Sequence, residues 1–483
     1  MRLIDVLKGM ENMMSDATQN GAMEIAGLAC DSRAVRPGYL FAALPGVEVD
    51  GRDFIASAVK NGAVCVLGPV GTQADVPVLE DGNPRLAFAR MAANFYPRQP
   101  QNIAAITGTN GKTSTAFFLR QIWEQLGVKA ASVGTIGVQG AGFNEVGKLT
   151  TPDPVKLLET VQRLADAGVE GLAMEASSHG LEQYRLDGVR VRAAGFTNIS
   201  RDHLDYHGTM QAYLAAKLRL FSEVVQSDGV VVVNADVPEA QDVVAVARKR
   251  GLDVITYGRA AESIRLLERH ATAGGQQLSL MIGAQNFTVN LALAGAFQAE
   301  NALCALGLAI GLGADVDAAV VALESLSGVP GRMQHVGTIN GAEVYVDYAH
   351  TPDALENVLS ALRPHVANRL HVLFGCGGDR DPGKRRQMGR VATTLADRVI
   401  VTDDNPRSED AAAIRAEILA AAPGAQEIAD RALAIHSAIA ELQDGDVLVL
   451  AGKGHEQGQI VGAEVLPFDD VQQAQAAIRE VQA

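Results

Sequence analysis

The chain alternates short apolar runs rich in β-branched residues with longer stretches in which apolar positions recur every three or four residues. The runs NIAAIT (Asn102–Thr107), EGLAME (Glu170–Glu175), RAAGFTN (Arg192–Asn198) and GVVVVNAD (Gly229–Asp236) predict strands in the middle of the chain. Towards the end, AEVYVDYA (Ala342–Ala349), LHVLFGCGG (Leu370–Gly378), RVIVTDD (Arg398–Asp404) and DVLVLAG (Asp446–Gly452) predict four more. Helical spacing lies between them. In Thr351–Leu362, Thr351 suits a cap, Pro352 the first turn and Asp353 the positive end of the dipole. This alternation predicts an α/β fold with parallel sheets covered by helices on both faces. Ligands of such sheets sit beyond the carboxyl ends of the strands, so the loops there are the place to look for chemistry.

Punctuation divides the chain at Phe95–Asn102 and Ser325–Gln334, where Pro, Gly and polar residues break the pattern. The expected domains are 1–98, smaller and mixed, then 99–330 and 331–483. A length of 483 residues agrees with three domains at roughly 150 residues each. No low-complexity tract or short-period repeat interrupts them.

Composition narrows the class. Hydrophobic residues are 48% and charged residues 20%, ordinary for a soluble globular protein. The formal charge of −15 argues against a nucleic-acid partner. Cys30, Cys65, Cys304 and Cys376 are far apart and form no CxxC pair, which predicts reduced thiols rather than a disulfide or zinc framework. Asp5, Lys8 and Glu11 interrupt the start where a signal peptide needs an apolar stretch, and the run Ala302–Ala314 is shorter than the ~18 residues of a membrane span. A cytoplasmic protein without membrane insertion is expected, and a monomer.

The sharpest local signal is ITGTNGKTST (Ile106–Thr115), between a predicted strand and a helix whose Leu119, Ile122, Trp123 and Leu126 form one stripe. Gly108 and Gly111 permit a tight loop whose N–H groups converge on a phosphate at the helix N-terminus. Lys112 can reach the β- and γ-phosphates, and the Thr113 hydroxyl can hold magnesium. Ile106 stands where the general phosphate-loop spacing has glycine, so the match to that pattern is imperfect.

Glu175 ends a predicted strand before ASSHG, and His203 follows another in NISRDHLDYHG. Both can ligate a divalent ion, although each alone is more often a capping acid or a hydrogen-bonded imidazole. In MQAYLAAKLRLF, Lys217 falls on the apolar face formed by Met210, Tyr213, Leu214, Leu218 and Phe221. A buried ammonium is costly. From the pattern alone, the ordinary outcome is snorkelling, with a packed stem and the charge in water.

TGTNGKTS (Thr107–Ser114), MEASSHGL (Met174–Leu181), NISRDHLDYHG (Asn198–Gly208), AYLAAKLRLF (Ala212–Phe221), GRMQ (Gly331–Gln334), DYAHTPDAL (Asp347–Leu355), FGCGGDRDPGKR (Phe374–Arg385), VTDDNPR (Val401–Arg407) and AGKGHE (Ala451–Glu456) stand in the order found in Mur ligases. From about residue 28 to about residue 470 the chain resembles that family, whose own phosphate loop departs from the general spacing at Ile106. The resemblance implies a UDP-sugar domain, a central phosphate-loop ATPase domain and a Rossmann-like C-terminal domain that brings an amino acid. It implies that Gly108, Thr109, Asn110, Gly111, Lys112, Thr113 and Ser114 hold ATP, with Asn301, Arg332 and Asp347 near the nucleotide. It implies that Thr113, Glu175, His203 and a carbamylated Lys217 hold Mg2+, and that Lys112, Glu175, His203 and Lys217 are catalytic. For a UDP-sugar peptide it points to Ser32, Thr150, Thr151, Ser177, Gln183 and Arg185, with contacts also from the loop Val47–Val49, which offers no side-chain pattern to match.

For the amino acid, the resemblance points to Arg380, Asp404, Asn405, Pro406, Arg407, Gly452 and Glu456. Arg407 offers a planar fork for a carboxylate. That arginine matches the branch of the family that adds meso-diaminopimelate to UDP-MurNAc-L-Ala-D-Glu, using ATP through an acyl phosphate. The competing readings are a relative adding D-Ala-D-Ala, folylpolyglutamate synthetase, or an ATP-binding switch without ligase chemistry. DNPR and GCGGDRD argue against the first two, and the intact set Glu175, His203 and Lys217 against the third.

Overall fold

A computed structural model of the chain describes residues 1–10, 13, 21–46, 49–147, 149–272 and 274–482, without the side chain of residue 205. The loop expected to touch a nucleotide-sugar lies outside the described residues at Val47 and Glu48. The chain forms two compact units, Met1–Ser263 with Cys304–Ala319, and Ile264–Leu303 with Val320–Ala483. Among the described residues no helix is long and apolar enough to cross a membrane. All four cysteines are free, and burial pushes their thiols up to about 12.

The first unit holds two sheets. Strands β1 (Gly27–Ala29), β2 (Tyr39–Ala42), β3 (Ala63–Gly68) and β4 (Val78–Glu80) are parallel and adjacent in that order. The second sheet uses β5 (Asn102–Thr107), β6 (Ala130–Gly134), β7 (Gly137–Gly140), β8 (Phe143–Glu145), β9 (Gly171–Glu175), β10 (Ala193–Phe196), β11 (Val230–Asn234) and β12 (Asp253–Gly258). Its order is β12-β11-β10-β5-β9-β6-β7-β8, parallel from β12 to β6 and antiparallel beyond. Chain order reverses direction at β5, which makes a topological switch point between β10 and β9. Every residue of β9 is buried, as expected for a strand covered on both faces. Phe88, Met91 and Ala92 share one continuous apolar core with Leu157, Leu158 and Val161, so residues before and after the proline-bearing link pack together.

The second unit contains the antiparallel strands β13 (Ile264–Thr272), β14 (Gly275–Ile282) and β15 (Gln285–Leu291). Its main sheet uses β16 (Gln334–Ile339), β17 (Ala342–Asp347), β18 (Leu370–Phe374), β19 (Arg398–Val401), β20 (Gln426–Glu427) and β21 (Val447–Ala451), in the order β16-β17-β21-β18-β19-β20. Only the β16–β17 pair is antiparallel. A hairpin of β22 (Gly458–Val461) and β23 (Glu464–Pro467) follows. The predicted helix forms as Pro352–Leu362, and Thr351 caps it by accepting from the Ala354 N–H.

Candidate active site

Three adjacent parallel strands deliver the first group of side chains to one rim. Ile106 of β5 is level with Glu175 of β9, and Thr107 of β5 with Phe196 of β10. The loop after β5 runs into the helix Lys112–Gln125, with Gly111 in a left-handed conformation at its N-terminus (φ 85°). A Cβ at Gly108 would meet the Thr197 hydroxyl at 1.9 Å, so only glycine lets the loop lie against the segment after β10. That segment pins the loop: the Asn198 carbonyl accepts from the Thr109 N–H (2.9 Å), and Asn198 Oδ1 from the Asn110 N–H (3.0 Å). Thr197 donates to the Asn110 carbonyl at 2.6 Å. Thr113 is half-buried and Ser114 buried in the first turn of the helix. Leu119, Ile122 and Trp123 are buried as predicted, while Leu126, past the last turn, is half-buried.

Two lysines converge on the same carbonyl. Lys112 Nζ donates to the carbonyls of Gly108 (2.9 Å) and Thr109 (2.8 Å), so it lies folded over its own loop. Lys217 Nζ donates to the Gly108 carbonyl at 2.7 Å and stands 4.3 Å from the centre of the Tyr213 ring. At 1% exposure Lys217 does not snorkel, contrary to the ordinary outcome for a lysine on an apolar stripe. The helix Met210–Arg219 turns the face differently from the simple stripe: Tyr213, Ala216 and Lys217 are buried, Leu214 and Leu218 are half-buried, and Met210 is exposed. The segment continues as a π-helical turn, Leu220–Val224, that brings Leu220 and Phe221 inward. Burial, and then the nearby Lys112, pushes the Lys217 pKa down to about 6. Both causes favour the neutral amine over the ammonium.

Glu175 is buried at the end of β9, and its carboxylate accepts from the Thr135 N–H (2.8 Å) and hydroxyl (3.2 Å). Thr135 lies 3.0 Å from the Thr150 hydroxyl, and Thr151 donates to the Glu175 carbonyl. Ser177, which caps its short helix, donates to Thr151, and Arg185 donates to the Thr151 carbonyl (2.7 Å) and to Gln183 Oε1 (2.7 Å). Five of the six residues matched to a UDP-sugar peptide therefore form one hydrogen-bonded chain with Glu175. The loop after β6 brings Thr135 onto the end of β9, which ties these residues to the Glu175 carboxylate. The sixth, Ser32, is buried on the short helix Ser32–Ala34 of the same unit. Burial, and then the neighbouring Arg85, lowers the Arg185 pKa. Thr135 and Arg85 escaped the sequence reading. A threonine after a small-residue strand and an arginine on the helix Pro84–Phe95 carry no local signal, and only folding brings them to Glu175 and Arg185.

His203 sits in a left-handed conformation (φ 52°), with its ring 4.9 Å from that of His179 and Nε2 3.5 Å from Asp202. Among the described residues no group of three His, Cys, Asp or Glu side chains is arranged to hold a metal. A cation here would depend on the Thr113 hydroxyl, the Glu175 carboxylate and a chemically altered Lys217 as oxygen donors, with His203 as a nitrogen ligand.

The second unit holds the remaining residues: Asn301 on the helix Ala296–Gly311, Arg332 just before β16, and the others at or after the carboxyl ends of β17, β21, β18 and β19. Buried Asp347 accepts from the N–H groups of Met333 and Ala349, both at 2.7 Å. Burial raises its pKa, opposed by Arg332. The Arg332 guanidinium stacks 4.6 Å from the centre of the Tyr348 ring, and its Nε is buried without a partner among the described residues. Asn301 is buried and donates to Gln298 at 3.2 Å. After β19, Asp404 and Asn405 are buried and Arg407 adopts a left-handed conformation (φ 53°). Arg407 Nη1 donates to the Gly378 carbonyl at 2.8 Å, and Asn405 Nδ2 to Glu456 at 2.8 Å. A Cβ at Gly452 would fall 2.7 Å from Asp404. The structure thus joins Asp404, Asn405, Pro406, Arg407, Gly452 and Glu456 in one cluster. Arg380 is exposed, and among the described residues it bonds only to the adjacent Asp379 carbonyl (3.2 Å).

Family models match in series along the chain: the Mur ligase family catalytic domain over residues 24–106, the Mur ligase middle domain over 106–309, and the Mur ligase glutamate ligase domain over 331–454. The chain is 54% identical over 464 residues to the UDP-N-acetylmuramoyl-L-alanyl-D-glutamate–2,6-diaminopimelate ligase of Bradyrhizobium diazoefficiens, covering 95% of each. The ligase of that name from Caulobacter vibrioides is 53% identical over 468 residues, covering 95% of this chain and 96% of the relative. A solved structure of a ligase of that name superposes with a TM-score of 0.75 at 34% identity, covering 96% of this chain and 97% of the other. The MurF ligase of Thermotoga maritima in complex with ADP shares the fold at 18% identity, with a TM-score of 0.59 and 95% and 98% of the two chains covered. Glycine-bounded phosphate loop, buried lysine, strand-end glutamate and full-length likeness agree: the chain belongs to the Mur ligase family.

Proposed function

We propose that this chain is an ADP-forming amide ligase that couples meso-diaminopimelate to the D-glutamate carboxylate of UDP-MurNAc-L-Ala-D-Glu in peptidoglycan precursor synthesis, as a cytoplasmic monomer. The observation that carries the reading is a phosphate loop whose Gly108 carbonyl is shared by Lys112 and a buried Lys217. Residues 1–98 and the Thr150–Arg185 segment would take the UDP-sugar peptide, 99–330 the ATP and 331–483 the amino acid.

In the reaction a carboxylate oxygen of D-glutamate attacks the γ-phosphorus of ATP, the bond to the bridging oxygen breaks, and ADP leaves. The amine of the incoming amino acid attacks the acyl carbon, loses a proton to solvent and expels phosphate. Both steps gather negative charge at the mouth of the phosphate loop. Lys112, released from its own carbonyls by the nucleotide, would offset it, with Gly108, Thr109, Asn110, Gly111 and Ser114 cradling the phosphates. Asn301, Arg332 and Asp347 are the further residues that the family resemblance assigns to the nucleotide. A neutral Lys217 amine can attack CO2: the N–C bond forms, one proton leaves, and a carbamate anion replaces the amine. Thr113, Glu175, His203 and that carbamate would hold Mg2+, which supplies charge neutralisation for the phosphates when bound.

For the amino acid, Arg407 would pair with the far carboxylate of meso-diaminopimelate and Glu456 with the far ammonium, with Asp404, Asn405, Pro406 and Gly452 shaping the pocket and Arg380 taking a carboxylate. L-Lysine lacks the far carboxylate and would leave Arg407 unpaired. Sites built around a polar group reject such analogues by on the order of 10⁴-fold. The wild-type enzyme is therefore expected to prefer meso-diaminopimelate over L-lysine by that order in kcat/KM, and Arg407→Ala to lose the preference mainly through a raised KM for the amino acid. Comparable kcat/KM for the two amino acids in the wild type would refute the assignment.

A further inference from the structure

Lys453 is wholly buried, although glycines flank it and it follows the open end of β21. A buried ammonium is tolerated only when its protons are taken up. Its three acceptors are the Gly458 carbonyl (2.6 Å), Asn405 Oδ1 (3.1 Å) and Glu456 Oε2 (3.4 Å). Three acceptors match three protons, so Lys453 has no proton left for a substrate and can act only through its partners.

Those partners belong to the amino-acid cluster. Asn405 Oδ1 accepts from Lys453 and from the Ile460 N–H (2.9 Å), which uses both of its lone pairs. The carboxamide cannot flip, because its NH2 would then face an ammonium and an N–H. Nδ2 must therefore donate to Glu456 Oε2, the oxygen that also takes the Lys453 bond. Both of these bonds fall on one carboxylate oxygen, which reserves Oε1 for an incoming cation. Glu456 keeps 34% of its side chain exposed, enough for a substrate to reach it.

The same lysine ties down the hairpin that braces Arg407. Gly458, which accepts from Lys453, begins β22. Farther along the hairpin Gln459 donates to the Asp404 carbonyl (2.8 Å), the Ile460 carbonyl accepts from the Arg407 N–H (3.0 Å), and the N–H of Gly462, in the turn after β22, donates to the Arg407 carbonyl (2.7 Å). A left-handed conformation at an arginine persists only where its surroundings impose it, and this hairpin does so.

We infer that Lys453 is a positioning residue for amino-acid selectivity: it fixes the Asn405 carboxamide and aims Glu456 at the second ammonium of a diamino acid. This rests on the meso-diaminopimelate reading above. The informative competitor is 2-aminopimelate, which keeps both carboxylates and lacks only the second amino group. The experiment measures kcat/KM for meso-diaminopimelate and for 2-aminopimelate, with the KM for ATP, in the wild type and in Lys453→Met. The wild type should prefer the diamino acid. Lys453→Met should lower that preference by about tenfold, as expected for losing hydrogen bonds to a charged group, with the KM for ATP unchanged. General destabilisation would lower both substrates alike and leave the ratio intact. Ile460→Pro removes the other donor to Asn405 Oδ1 while Lys453 stays in place, and should lower the same ratio by a smaller factor. An unchanged ratio in whichever variant folds overturns the inference. A wild type that does not use meso-diaminopimelate would instead overturn the substrate reading.

Discussion

Lys217 donates to a carbonyl 109 residues away in sequence, and among the described residues no acid side chain accepts a hydrogen bond from it. That isolation sets its chemistry, because a charge there must be given up or replaced. Lys217→Ala is predicted to cut turnover by orders of magnitude and to regain part of it when short carboxylic acids refill the anionic position; wild-type-like turnover in the variant would exclude the role. A second consequence concerns stability. The folded pKa is about 6 and an ordinary lysine titrates near 10.5, so between those values the unfolded chain binds the extra proton and stability rises with pH. In CO2-free buffer, Lys217→Met should be more stable than wild type near pH 6, with the gap closing towards pH 9 by at most about 1.4 kcal/mol per pH unit. Urea unfolding of both proteins across that range measures it, and a pH-independent gap would show that the amine is not depressed. The sequence placed Lys217 on an inward face but could not choose between snorkelling and burial, since that depends on a loop distant in sequence. Lys453 was less legible still: glycine neighbours suggest an open turn, and one of its acceptors, Asn405, comes from a loop 48 residues away in sequence.

Elements were more legible than their cross-links. Apolar runs marked the eight strands named from sequence because strands covered on both faces admit little else, and glycines with caps marked where loops begin. The contacts between loops left no such trace. Glu175 shows the consequence: it was legible as a strand end, while the Thr135–Thr150 link that orients it depends on how the loop after β6 folds back. Glu175→Gln should raise the magnesium requirement and slow acyl-phosphate formation by roughly tenfold, the scale of a lost charge-assisted hydrogen bond. Because the Glu175 carboxylate holds Thr135, which in turn meets Thr150, a rise of a few-fold in the KM for the UDP-sugar peptide should accompany it. Collapse of UDP-sugar affinity with an unaltered magnesium dependence would make Glu175 a structural residue. The hairpin β22–β23 had no strand signal in the sequence reading either. Val461, Val465 and Leu466 are all exposed, so its pattern never resembled a buried strand.

Across the whole chain, two units each present a parallel sheet whose carboxyl-terminal rim carries the chemistry-bearing loops, as the alternation of strand and helix predicts. The link at Phe95–Asn102 is polar in sequence, yet a continuous apolar core passes beneath it, because the helices Pro84–Phe95 and Pro154–Asp166 bury their apolar faces together. Local composition cannot reveal a core shared across a linker. What the chain as a whole must do is couple ATP cleavage to one amino acid, and that separates a ligase from a nucleotide switch on the same fold. The direct measurement is phosphate release from ATP in the presence of Mg2+ and UDP-MurNAc-L-Ala-D-Glu, against a panel of amino acids. Sustained release that requires meso-diaminopimelate, matched mole for mole by amide product, is the predicted result. Release that proceeds equally without any amino acid would contradict the account.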